Sequence, residues 1–176
     1  MLRGGQSIMV KDFMIRGITV KRMLKFSFSA LLVILIISGC NTKNGEDGIF
    51  KYKDSYVGDA SAVGNIASQL RGAGYYKGFE LKTAEKPYGI ILNYDWSDSK
   101  QNYKKTAIYN ATFLFALIKN ADWITFNFDN QEYKITKENL QNWYRKDLSE
   151  LQSEDELKTL VQKYLDDEDK VNQLFH

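Results

Sequence analysis

The chain has 176 residues, 44% of them hydrophobic and 14% aromatic, which is enough apolar material for one packed domain and excludes wholesale disorder. It carries one proline, one cysteine and one histidine, so an intrachain disulfide and a zinc site built from His and Cys are both excluded. Charge is unevenly placed: of 24 basic and 22 acidic residues, six bases and one acid fall in residues 1–39, leaving 18 bases and 21 acids, a net −3, from residue 40 onward.

The first readable element runs from Phe26 to Gly39, FSFSALLVILIISG, with no charge in it and Lys21, Arg22 and Lys25 before it. A membrane-spanning helix needs about 20 apolar residues. This run is shorter and matches the apolar region of a secretory signal. Ser38 and Gly39 are small, and Cys40 follows them. The order basic, apolar, small, cysteine resembles the lipobox of bacterial lipoproteins, in which the thiol is alkylated by diacylglycerol and cleavage makes it the new N-terminus. On that reading residues 1–39 are a signal peptide and Cys40 is the lipid attachment site, with the membrane as partner. The competing readings are a buried core thiol, since cysteine is often interior, and an uncleaved signal anchor. Met23 opens a complete signal by itself, MLKFSFSALLVILIISGC, so the segment before it reads as an over-extension upstream of the true start.

Asn41 to Gly48, NTKNGEDG, has the composition of a flexible tether. A single domain is expected from residue 49 to residue 176. In Asp59 to Leu70, Val63, Ile66, Ala67 and Leu70 share one helical face, with Asp59 as cap and Gly72 and Gly74 as stop. Phe79 to Thr83 and Tyr88 to Trp96 alternate as strands around a turn at Glu85-Lys86-Pro87, with Ile90, Leu92, Tyr94 and Trp96 on one face. Tyr103 to Lys119 is a helix whose second half, FLFALI, is apolar nearly all round and is expected deep in the core. Trp123 to Phe128 and Glu132 to Thr136 form a second hairpin. Thr136 starts a helix that carries Leu140, Trp143, Tyr144 and Leu148. Ser153 to Glu156 is a capping box that opens a last helix with Leu157, Leu160, Val161 and Leu165 inward, and the acids Asp166 to Asp169 face solvent after it. The order predicts an α+β fold, an antiparallel sheet of about four strands in two hairpins packed against about four helices.

The sequence offers no catalytic constellation. His176 is terminal, Cys40 sits on the tether, and GNIASQLRGAG lacks the Gly-Lys-Ser/Thr that completes a phosphate loop. The acids Asp166 to Asp169 lack the spacing and glycine of a calcium loop. No cofactor is implied. A mildly acidic domain without a basic stripe lacks the phosphate-neutralising surface of a nucleic-acid binder. What stands above background is aromatic: Tyr75, Tyr76, Tyr94, Trp96, Tyr103 and Tyr109. Tyr94, Asp95, Trp96 and Tyr103 are the candidate ligand surface, for a sugar, peptide or glycan, with Asp95 as polar anchor. The bland reading of the same rings is core and rim.

Three stretches, YKDSYVGDASAVGNIASQL, KPYGIILNYDW and ATFLFALIKNADWITFNF…EYKIT, resemble the domain of unknown function (DUF) 4825 family of lipoproteins and membrane-bound proteins of Gram-positive, Bacillus-like bacteria. The resemblance spans about Phe50 to Tyr144 and implies a lipoprotein address and an extracytoplasmic sensing role, with no catalytic residues to carry over. The expected function is a non-catalytic binding or sensing module on the extracytoplasmic face of the cell membrane, held by lipid at Cys40, with an envelope protein or ligand as partner. Two alternatives stand beside it. One is an envelope hydrolase using Asp95 and Asp98 with Glu80 or Asp122. The other is a structural protein that packs on a membrane protein through the face Leu140 to Leu148.

Overall fold

A computed structural model of the chain describes residues 48–97 and 102–175. Cys40, the apolar run before it, Asp98 and His176 lie outside the described residues. Each α-helix begins where a side chain satisfies free N–H groups of its first turn. Asp59 accepts from Ala62 N–H and opens helix α1, Ala60–Ala67. After a short turn, strands β1, Tyr76–Lys82, and β2, Gly89–Tyr94, form the first hairpin. Asn102 caps α2, Tyr103–Leu117, and strands β3, Trp123–Phe128, and β4, Gln131–Thr136, form the second hairpin. Thr136 caps α3, Lys137–Tyr144. Ser153 caps α4, Glu154–Leu165, and Asp167 caps a short α5, Glu168–Gln173. The box at α4 closes one residue further back than its motif implies, since Glu156 Oε2 accepts from Gln152 N–H at 2.9 Å.

The four strands lie in the order β1-β2-β3-β4. The α+β class and both expected hairpins are present, but the sheet is mixed, because β2 and β3 pair in parallel from Gly89↔Trp123 to Tyr94↔Phe128. The reason is the connection. A parallel pair needs a crossover of a dozen or more residues, usually a helix, and α2 with its flanking loops is that crossover. Period 2 then puts Ile90, Leu92 and Tyr94 beside Ile124, Phe126 and Phe128 on one face, all of them buried.

Helix α2 lies against that face and is interior nearly all round, with twelve of its fifteen residues buried. Its outer side is covered by α1, by α4 and by a 3-10 turn at Leu148–Glu150. A helix so deep must satisfy its polar groups internally. Thr112 Oγ1 donates to Ile108 O at 2.7 Å and bonds the Tyr144 hydroxyl at 2.8 Å. Asn110, fully buried, accepts from Arg71 N–H and donates to Arg71 O and Tyr94 Oη.

One expectation at the C-terminal end is corrected. Leu148 does not belong to the helix that starts at Thr136. Arg145 adopts a left-handed conformation, φ 54°, that stops α3 after Tyr144, and Leu148 sits in its own turn, fully buried. The acids after Leu165 face solvent as expected, with Asp166, Glu168 and Asp169 exposed, and they also bond locally: Asp167 caps α5, Glu168 pairs with Lys105 and Asp166 accepts from Gln162. Among the described residues no helix is long and apolar enough to cross a membrane.

Candidate functional site

The aromatic surface expected at Tyr94, Trp96 and Tyr103 is an interior cluster. These residues are 4%, 6% and 8% exposed. Strand alternation turns Tyr94 and Trp96 inward, and Tyr103 comes down from the first turn of α2 to donate its hydroxyl to Trp96 O at 2.6 Å. Phe128 closes the cluster, stacked on Tyr103 at 4.9 Å and tilted against Tyr94 at 4.9 Å. Burial drives the Tyr94 phenol well above its ordinary value, against a weaker opposing effect of the Asn110 bond. Gly72, at φ 79°, lies so close to Trp96 that a Cβ there would fall 2.5 Å from Cζ3. Of the four candidates only Asp95 reaches solvent, where it pairs with Lys77 at 3.2 Å. Tyr75, 45% exposed and stacked on Trp96 at 4.6 Å, is the part of the set that remains outside.

Of the carboxylates proposed for hydrolysis, Asp95, Glu80 and Asp122 lie among the described residues, and they are spread along the sheet. Asp122 accepts from Tyr88 N–H at the start of β2, and Asp95 follows its last residue. Six residues of extended chain lie between those points, on the order of 20 Å, whereas a carboxylate pair for glycoside hydrolysis needs about 5–10 Å. Glu80 stands between them on β1, opposite Ile91, and is held by Lys82. Among the described residues no group of three or more His, Cys, Asp or Glu side chains gathers to hold a metal ion. The face Leu140 to Leu148 is also committed, since Leu140, Tyr144 and Leu148 all pack into the core. Trp143 beside them packs on Tyr144 and Tyr164 and donates its indole N–H to Lys170 O.

A concave surface lies at the end of the sheet where β2 and β3 begin. A groove of about 950 Å³ runs from Lys86 and Pro87 past Trp123 to the first turns of α3. A second depression of about 560 Å³, lined by the β1–β2 turn, shares Lys86, Pro87, Trp123 and Lys134 with it. The groove is held by backbone. Asp122 N–H and Trp123 N–H both donate to Tyr88 O, and Lys137 N–H donates to Asp122 O. Trp123 is locked as well: its indole N–H donates to Pro87 O at 3.0 Å, and the ring lies flat over Gly89, its partner across the parallel ladder. The Lys134 ammonium sits over the same ring, 4.6 Å from its centroid. Lys137 is half-buried and donates to Lys119 O at 3.1 Å, and burial holds its ammonium below the usual lysine value against the pull of Asp147 and Asp122. The arrangement offers an aromatic edge, lysine cations and the amides of Asn139 and Asn142 in one concavity.

The sequence reading took Trp123 only as the first residue of a strand. A lone proline in a turn, a glycine opening one strand and a tryptophan opening the next are its signals. They converge only once β2 and β3 are known to pair in parallel. Gly89→Ala tests the placement. Its Cβ would fall 2.1–2.4 Å from three atoms of the indole, so the ring must leave. The expected cost is about 1–3 kcal/mol, with Trp emission shifted to the red as the indole enters water. An unchanged spectrum would show that the ring does not rest on Gly89.

Fold and groove together define an α+β domain whose helices back one sheet face and whose concave site opens at one end of the strands. The chain belongs to the family described as Domain of unknown function (DUF4825), whose model matches residues 49–138. That span contains Pro87, Gly89, Trp123, Lys134 and Lys137 and ends within the first turn of α3. No curated protein matches the chain, and no solved structure matches it.

Proposed function

We propose that the protein is a lipid-anchored, non-catalytic binding module on the extracytoplasmic face of the cell membrane, of the Gram-positive lipoprotein type. Cys40 carries the acyl chains, residues 41–48 are the tether, and the domain from residue 49 presents the Trp123 groove to envelope ligands. The observation that carries this reading is the order of residues 21 to 40: Lys21, Arg22 and Lys25, then the uncharged run Phe26 to Gly39, then Cys40. Two acyl chains hold a protein on a bilayer stably where one does not, since each buried methylene contributes about 0.8 kcal/mol. The binding half of the reading is supported by a groove within the size range of small-molecule sites, roughly 300–1,000 Å³, with its tryptophan fixed by a hydrogen bond.

Metabolic labelling with a fatty-acid probe tests the anchor. The wild-type chain takes the label and sediments with membranes, and Cys40→Ala loses both properties. Equal labelling of the two forms, or of neither, refutes it. Binding is tested separately by capture of cross-linked envelope material on the full chain. Trp123→Ala, with retained folding, is expected to lose that material, and undiminished capture removes the groove from the proposal.

A further inference from the structure

We infer that the Trp123 groove takes an acidic saccharide, its sugar ring against the indole and its phosphate or carboxylate held by Lys86, Lys134 and Lys137. This rests on the reading of the groove as a binding site and names its ligand class.

The first argument is how lysines are used. Seven lysines of the described residues pair with a carboxylate. Seven others do not, and three of those, Lys86, Lys134 and Lys137, line one groove. Each rests on a neutral group instead. Lys86 lies over the Tyr88 ring at 5.8 Å, Lys134 over the Trp123 ring at 4.6 Å, and Lys137 on the Lys119 carbonyl at 3.1 Å. An anion adds a charge–charge attraction that a ring face or a carbonyl does not offer, so it displaces these resting contacts. Asp147 and Asp122 act on Lys137 electrostatically but form no ion pair with it among the described residues. Asp122 is engaged by Tyr88 N–H at 2.7 Å, and Glu138 sits exposed on the rim.

The second argument separates a saccharide from a bare anion. Asn139, Asn142 and the Glu138 carboxylate line the same groove as the lysines. Amide and carboxylate groups of this kind exchange hydrogen bonds with hydroxyls, whereas a carboxylate repels a simple polyanion. One face of the indole is closed by Gly89, and Lys134 covers the ring from its own strand. When the acid group draws the Lys134 ammonium away, the indole is freed to pack against the C–H face of a sugar ring. Charge recognition and ring recognition are therefore coupled through one side chain.

The experiment titrates the full chain with glucose 6-phosphate, glucuronate, glucose and inorganic phosphate, following Trp emission and heat. At least one acidic sugar is expected to bind tenfold or more tightly than both glucose and phosphate, and the better of the two identifies the acid group. Lys134→Ala with Lys137→Ala is expected to weaken it at least tenfold. Lys163→Ala, a change on α4 away from the groove, leaves it intact. Equal binding of glucose, equal binding of phosphate, equal binding of a poly-glutamate peptide, or affinity unmoved by the double variant each overturns the inference. If neither acidic sugar binds while Trp123→Ala still abolishes envelope capture, the ligand class is wrong and the binding module stands.

Discussion

Replacing Phe128 by alanine is expected to cost about 3–5 kcal/mol, the range for removing a buried aromatic ring from a core. Phe128 is fully buried at the end of β3. Its ring centroid lies 4.9 Å from those of Tyr94 and Tyr103, 6.1 Å from those of Trp96 and Tyr133, and 6.2 Å from that of Phe126. The space left behind closes poorly, because its walls come from α2 and from strands whose ladders fix their spacing. For a domain with a total stability of about 5–15 kcal/mol, this is a large fraction. Denaturant titration of the full chain measures it, and a loss below about 1.5 kcal/mol would show that the surrounding rings collapse into the gap. Phe128→Leu keeps most of the transferred apolar area and is expected to cost less than half as much.

Asn110→Ala is expected to be nearly as harmful, about 2–4 kcal/mol, for a different reason. The cost of a lost buried hydrogen bond falls mainly on the partner left unsatisfied, about 1–3 kcal/mol for each such group. Asn110 serves three: it accepts from Arg71 N–H at 3.1 Å and donates to Arg71 O at 2.9 Å and Tyr94 Oη at 3.2 Å. Arg71 lies in the exposed turn between α1 and β1, where water can recover part of that loss, whereas the Tyr94 hydroxyl has no route to solvent. The change also unties that turn from α2. Hydrogen exchange at Arg71 is expected to rise in Asn110→Ala more than at Leu114, and unaltered exchange at Arg71 would refute the assignment.

Local structure was legible because local rules wrote it. Asp59, Thr136 and Ser153 are capping residues followed by helical periodicity, and each caps the helix it announces. Alternation in Ile90, Leu92, Tyr94 and in Ile124, Phe126, Phe128 marked both the strands and their inward faces. Pairing between hairpins was not legible. Alternation says which face is buried, but not whether the neighbouring strand runs the same way, and the helix between β2 and β3 was the clue that a parallel join follows. The same gap explains the candidate site. Rings in a tyrosine- and tryptophan-rich stretch look alike whether they line a cleft or fill a core, and Tyr94, Trp96 and Tyr103 fill it. Trp123, Lys134 and Lys137 belong to one groove only because a parallel ladder sets Trp123 beside Gly89 and the second hairpin returns Lys134 alongside. Leu148 was misplaced because apolar spacing continued across a backbone reversal at Arg145 that no residue preference announces.

Before β1 the chain is stitched to distant parts of the fold. Ser55 bridges Ile118 in parallel, donating its N–H to Leu117 O and accepting from Lys119 N–H. The Lys53 ammonium donates to the carbonyls of Ser149 and Leu151. A mechanical pull applied at Gly48 therefore loads these attachments first, while the sheet, which starts only at Tyr76, is shielded from the tension. Tension entering at Gly48 would be taken up at residues 53 and 55, leaving the shape of the groove undisturbed.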